Sequence, residues 1–204
     1  MHKHPLFNNI NHNIIPKHLN IISYPKDTLL FSEGEECKFL GVILSGEVKI
    51  STLTSKDNEY TISILKDNDI FGENLLFNQN NLFLGDGIVT KDAKIIFIEK
   101  DILLELLKNT TFMCNFLNII TQKNMEVRGR LKLLSQKTIE ERIMFYLISE
   151  VKKEGTKKIK IKSKEDLAHT LNIPRPSLSR ELIKLKEKGV IDYDKHFIEL
   201  KDLN

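Results

Sequence analysis

The sequence predicts an α+β chain made of an N-terminal barrel or sandwich of short strands, a long helix, and a C-terminal winged helix-turn-helix. Three observations predict it. Short apolar runs recur between turn residues from about Thr28 to Glu99, the spacing of a compact all-β domain. From Thr111 onward apolar residues recur every three or four positions over more than twenty residues, a helical period. Two short capped helices and a hairpin then close the chain.

The strand candidates are Phe39 to Leu44, Val48 to Leu53, Tyr60 to Leu65, Gly85 to Thr90 and Lys94 to Glu99. Ser45-Gly46 and Lys56-Asp57-Asn58 are the turn signals between them, and a hairpin across Ser45-Gly46 is expected. Asp101 is the expected N-cap of a short helix through Leu107. In the long helix Met113, Leu117, Ile120, Asn124, Val127, Leu131 and Leu134 alternate spacings of four and three. That is a heptad seam, and Asn124 within it would fix register and favour two strands. Leu117, Ile120, Asn124, Val127, Leu131 and Leu134 are therefore the expected interface of a parallel homodimer. Packing of this helix on its own β-domain would satisfy the period alone.

Thr138-Ile139-Glu140-Glu141 is a capping box that starts a third helix with its apolar face at Ile143, Leu147 and Val151. Ser163-Lys164-Glu165-Asp166 caps a fourth, which buries Leu167, Ala168 and Leu171. Asn172 tolerates the left-handed turn that follows, and the fifth helix opens at Arg175 or Pro176, because proline suits a first turn. Its apolar stripe is Leu178, Leu182 and Leu185, off which Arg175, Ser179 and Arg180 fall. Gly189 ends it, and Val190 to Tyr193 and Phe197 to Leu200 form a wing joined by Asp194-Lys195-His196. An arginine fork fits guanine O6 and N7, so Arg175 and Arg180 are expected at base edges. Ser177 and Ser179 are expected at phosphate or sugar, and Lys184 at the backbone. Lys152, Lys153, Lys157, Lys158, Lys160, Lys162 and Lys164 crowd the approach to this motif, and Lys158 to Lys162 alternates lysine with isoleucine. A net charge of +3 argues nothing by itself, whereas this clustering suits phosphates.

No run of about 18 apolar residues occurs, and the asparagine-rich start lacks a secretory core, so a cytoplasmic protein without membrane contact is expected. Cys37 and Cys114 are too few for a four-thiolate cluster and are expected to be buried structural thiols, with redox sensing as the minority case. Between Thr28 and Glu99 there is no histidine, which argues against a metal-dependent barrel enzyme. No catalytic or metal-ligating set is expected. The rival to DNA binding is a metabolite-binding or scaffolding protein whose winged helix contacts protein.

The local sequences extend this reading. Gly34-Glu35, Leu44-Ser45-Gly46-Glu47-Val48, Asp69-Ile70-Phe71-Gly72-Glu73 and Leu75-Leu76-Phe77 resemble the strand-turn segments of a cyclic-nucleotide-binding β-roll. Arg175-Pro-Ser-Leu-Ser-Arg180 resembles the recognition-helix pattern Arg-x-Thr/Ser-x-x-Arg. Over roughly residues 20 to 202 the chain resembles the Crp-Fnr family of regulators, which includes the cyclic-AMP receptor protein and the fumarate-nitrate reduction regulator. The resemblance implies a double-stranded β-helix (jelly-roll) sensing domain at 1–109, a dimerisation helix at 110–136 and a winged helix-turn-helix at 137–204. It also implies double-stranded DNA with a palindromic operator as partner, and RNA polymerase as a candidate one.

The family's cassette pairs Gly-Glu with an Arg-Ser or Arg-Thr about ten residues on, a guanidinium and hydroxyl that replace the water of a cyclic phosphate. Gly72 and Glu73 are present, but Phe83 and Leu84 stand at the spacing of the pair and no arginine precedes Arg128. A phosphate left against Phe83 is costly, so no cyclic-AMP response is expected. Arg128 is a candidate anion contact from the helix side. The effector candidates implied by relatives are an apolar or aromatic molecule, haem, a thiol peptide, redox at a cysteine, or none. Haem would need His2, His4, His12 or His18, which are expected in a solvent-exposed tail.

Overall fold

The structure, a computed structural model, describes residues 4–16, 19–53 and 59–201. It divides into two compact units, 1–122 and 123–204, and the division falls inside the long helix.

In the first unit β3 (Phe39–Leu53) and β6 (Asp86–Glu99) are the long central pair of an antiparallel sheet. β1 (Ile21–Tyr24) and β2 (Leu29–Phe31) pair with β6, while β4 (Glu59–Leu65) and β5 (Ile70–Phe71) pair with β3. Alternation along the central strands serves two cores. Leu40, Val42, Ile96 and Ile98 pack with α1 (Lys100–Leu107) and with Phe112, Phe116 and Ile119 of α2 (Thr110–Leu134). Ile43, Val48, Val89, Ala93 and Ile95 face the other way, into an interior shared with Phe31, Cys37, Phe71 and Phe83.

Two expectations are corrected in the roll. Ser45-Gly46 is not a hairpin turn: β3 runs through it with shifted register. Gly46 has φ +100°, and a Cβ there would lie 2.4 Å from the Asp92 carbonyl oxygen, so the pair is a bulge that bends one strand. Likewise Gly85 to Thr90 and Lys94 to Glu99 belong to the single strand β6, apart from Gly85 itself. Lys56-Asp57-Asn58 lies outside the described residues. Asp101 is not the N-cap of α1; Glu99 holds that position without a side-chain bond. Asp101 sits in the first turn, where its charge meets the positive helix end.

The N-terminal segment is also corrected. Leu6, Phe7 and Ile10 are buried against Phe112 and Phe116, and Asn115 Nδ2 donates to the carbonyls of Leu6 (3.2 Å) and Asn8 (2.8 Å). His4 is 1% exposed rather than part of an exposed tail, because these apolar neighbours carry it into the core. Its Nδ1 accepts from the Leu6 N–H at 3.1 Å, while Nε2 has no partner among the described residues. His2, His18 and the His12 side chain lie outside the described residues. Burial holds the His4 imidazole below its ordinary pKa of 6.5, against the opposing pull of Asp69 and the Asn68 backbone. The unfolded chain therefore takes up this proton first as acidity rises. The stabilisation is full above the unfolded-state value of 6.5 and is lost as pH falls through the lower folded value. Thermal melting should thus fall between pH 7.5 and 5.5, and the fall should be smaller in His4→Asn, which keeps a capping acceptor without a titrating ring; equal pH slopes would contradict this.

In the second unit α3 (Ile139–Glu154) starts at the Thr138–Glu141 capping box. α4 (Lys164–Leu171) is capped by Ser163, Asn172 turns at φ +52°, and α5 (Arg175–Glu187) follows. β7 (Lys158–Lys160), β9 (Phe197–Leu200) and β8 (Ile191–Tyr193) form a three-stranded sheet in that order. Ile143, Leu147, Ile159, Leu167, Leu171, Leu178, Leu182 and Leu185 share one core.

Candidate nucleic-acid interface and roll interior

α5 buries Leu178, Leu182 and Leu185 completely. At 100° a residue, Arg180 and Lys184 then point away from the core, and both are exposed. Arg175 is also exposed, its Nε 3.3 Å from the Glu165 carboxylate. Arg180 Nε makes only a long bond to the Pro176 carbonyl, 3.4 Å, and Lys184 pairs with Glu181 at 3.1 Å. Ser177 and Ser179 are half-buried on the flanks. Surface ion pairs of this kind are worth at most about 1 kcal/mol, so a phosphate or base edge can displace them.

The wing is fixed at its tip by Asp194, whose carboxylate accepts from the His196 and Phe197 N–H groups at 2.6 and 2.9 Å. Those bonds hold its pKa below the ordinary value. Ile159 and Ile161 are buried while Lys158, Lys160 and Lys162 are exposed, so the alternation forms a basic rim. Lys158 lies over Phe197 at 4.7 Å and Lys164 over Tyr193 at 4.5 Å.

A residue that sequence reasoning missed joins these parts. Arg142 of α3 donates through one terminal nitrogen to the carbonyls of Leu171 and Asn172, and through the other to those of Leu134 and Gln136, each at 3.3 Å. One guanidinium thus satisfies the open carbonyl ends of α4 and α2, where positive charge is favoured. Its partners stand in two distant stretches of sequence, so no local signal marks it. Arg142→Ala should lower unfolding free energy by about 2–4 kcal/mol in urea titration. Arg142→Lys should not restore it, because one ammonium cannot serve both pairs of carbonyls.

The roll interior is packed with rings. Phe83 is 5% exposed and stacks on Phe31, centroids 3.8 Å apart at 16°. Phe71 adjoins Phe31 at 5.5 Å, and Phe97 meets Phe39 edge-on at 4.6 Å. Two glycines make the room: a Cβ on Gly87 would lie 2.3 Å from the Phe31 ring, and one on Gly41 would collide with Phe71. The backbone fixes Phe83 in place, since its N–H donates to the Glu35 carbonyl and its own carbonyl accepts from the Gly34 N–H, both at 2.9 Å. Leu84, next along, is 68% exposed. Gly72 has φ +84°, and Glu73 is 8% exposed. Arg128 is exposed and belongs to the second unit.

Cys37 is buried, its thiol directed at the Phe39 carbonyl (3.3 Å) and pushed up in pKa by burial. Cys114 is exposed, contrary to expectation, because it lies off the Phe112–Phe116–Ile119 stripe. Among the described residues no group of three or more His, Cys, Asp or Glu could hold a metal ion, and no helix is long and apolar enough to cross a membrane.

Fold and exposed helix face define a DNA-binding transcription regulator that carries a β-roll. Residues 21–110 match the cyclic nucleotide-binding domain, and residues 141–204 match the Crp-like helix-turn-helix domain. The anaerobic regulatory protein of Bacillus subtilis is 27% identical over 176 residues, covering 83% of this chain and 74% of that protein. The cyclic AMP receptor protein of Thermus thermophilus is 22% identical over 180 residues, covering 88% and 82%. A solved CooA variant from Carboxydothermus hydrogenoformans superposes with TM-score 0.63 at 18% identity, covering 100% of this chain and 94% of that one. The chain belongs to the Crp-Fnr family of transcriptional regulators. These relatives are regulators rather than enzymes.

Proposed function

We propose that the protein acts as a homodimer, zipped along α2, that inserts α5 of each chain into the major groove of an inverted-repeat operator. Residues 1–109 serve as the sensing domain, 110–136 as the dimerisation helix and 137–204 as the DNA reader. The observation that carries this reading is the division of α5 into a fully buried leucine face and an opposite face bearing the exposed Arg180 and Lys184. Arg175 and Arg180 read base edges, Ser177 and Ser179 bind phosphate or sugar, and Lys184 meets the backbone. The pair of recognition helices fits half-sites about one helical turn apart. The dimer is supported by Leu117, Val127 and Leu131, apolar seam residues that are 51, 58 and 62% exposed in the single chain. Selecting bound DNA from a random pool, with and without cell extract, tests the reading, with an inverted repeat as the expected product.

The roll takes no cyclic AMP in this reading. Phe83 occupies the cassette with an apolar ring, and a buried phosphate without a guanidinium would lack the bonds that replace its water. Calorimetry with cyclic AMP should therefore show no binding heat; micromolar affinity would contradict it. The regulator answers another signal or binds DNA without one.

A further inference from the structure

The filled roll directs attention to a groove elsewhere, formed wholly within the second unit. It has a volume of about 420 Å³ and lies between the end of α2, the middle of α3 and the end of α4. That size suits a small organic ligand, for which pockets of roughly 300–1,000 Å³ are usual. Leu133, Phe145 and Tyr146 give it an apolar, partly aromatic wall. Its polar groups are unevenly matched. Glu150 is met by Lys153 at 3.9 Å, whereas the Arg130 guanidinium and the His169 ring have no hydrogen bond or ion pair among the described residues. Lys132 adds a second positive charge beside the groove wall, 5.6 Å from the Phe145 ring. The Ser149 and Thr170 hydroxyls donate to carbonyls of their own helices, so toward a ligand they can act only as acceptors.

We propose that this groove binds a small organic anion with a flat apolar body, its acid group held by Arg130 and His169 and its ring against Phe145 and Tyr146. A guanidinium fork matches a carboxylate or sulfonate, and an aromatic wall suits a ring. The apolar side of the groove stays open in a dimer: at 3.6 residues a turn, Gly129 and Leu133 point roughly a third of a turn or more around α2 from Val127, Leu131 and Leu134, and Arg130 flanks that seam. A bound anion would tie the end of α2 to α4, the first helix of the DNA reader. That consequence rests on the regulatory reading above; ligand binding itself does not.

The test uses the full chain with 1-anilinonaphthalene-8-sulfonate, an aromatic anion whose fluorescence rises in apolar surroundings. The expected result is one saturable site per chain. Arg130→Gln should weaken it about tenfold or more, the loss of a charge-assisted bond. Gly129→Phe should abolish it, since position 129 lines the groove and a Cβ there meets nothing within 4 Å. Arg128→Gln should leave affinity within twofold, and the uncharged N-phenyl-1-naphthylamine should bind more weakly than the sulfonate. Melting curves confirm folding, and Arg130→Gln decides if Gly129→Phe does not fold. Equal affinity in parent and Arg130→Gln, or tighter binding of the uncharged dye, would overturn the proposal. Anisotropy with selected duplex on the same samples separates the two readings: absent DNA binding with intact dye binding sinks the regulatory reading alone, and the reverse sinks the groove alone.

Discussion

Leu131→Lys is expected to turn the dimer into monomers and to remove high-affinity operator binding with it. Leu131 is 62% exposed in the single chain, beside Val127 at 58%, so its burial would come from the second copy. Deleting a buried leucine costs about 2–5 kcal/mol. The symmetric change acts twice in one interface and sets two ammonium groups face to face. The dimer dissociation constant should rise more than about a hundredfold, read by sedimentation equilibrium. The monomer's own melting should change little, because the lysine replaces a side chain that the chain itself leaves in water. A mutant that remains dimeric at parental affinity would remove the seam from the account.

Arg180→Ala should spare fold and dimer yet sharply weaken specific binding. Its side chain is exposed, and its one internal bond is the 3.4 Å contact to Pro176, so truncation costs the fold little. On DNA, a bidentate base contact carries about 1–3 kcal/mol of discrimination. Two copies in a dimer double that, an expected loss of at least about thirtyfold against the selected operator. Affinity for unrelated duplex should change far less, because phosphate contacts supply it. Arg180→Lys should not rescue, since a point charge lacks the fork. Parental affinity of Arg180→Ala for the operator would show that the base-reading assignment is wrong.

The helix-turn-helix was legible because its signals are local. Ser163 caps, Asn172 turns left-handed, Pro176 opens the next helix and Gly189 closes it, and each acts within a few residues. The roll was legible in kind but not in connection. Ser45-Gly46 resembles a turn in sequence, yet only the neighbouring Asp92–Ala93 backbone determines that Gly46 bends one continuous strand. Phe83 was recognisable as a missing phosphate ligand. Its stacking on Phe31 was not, because the partner stands in β2, some fifty residues away, and Gly87 clears the space.

The N-terminal segment misled for a similar reason. Its asparagines suggest a solvated tail, whereas Leu6 and Phe7 anchor it on residues more than one hundred positions away. Arg142 had no sequence signal, since its value lies in four carbonyls brought together by folding.

The central claim is a pair of chains on one symmetric site. Light scattering coupled to size separation, on the complex with duplex selected from the random pool, measures it directly. The account predicts two chains per duplex, and a duplex cut to a single half-site should lose tight binding. One chain per duplex, or equal affinity for a scrambled sequence, would contradict it.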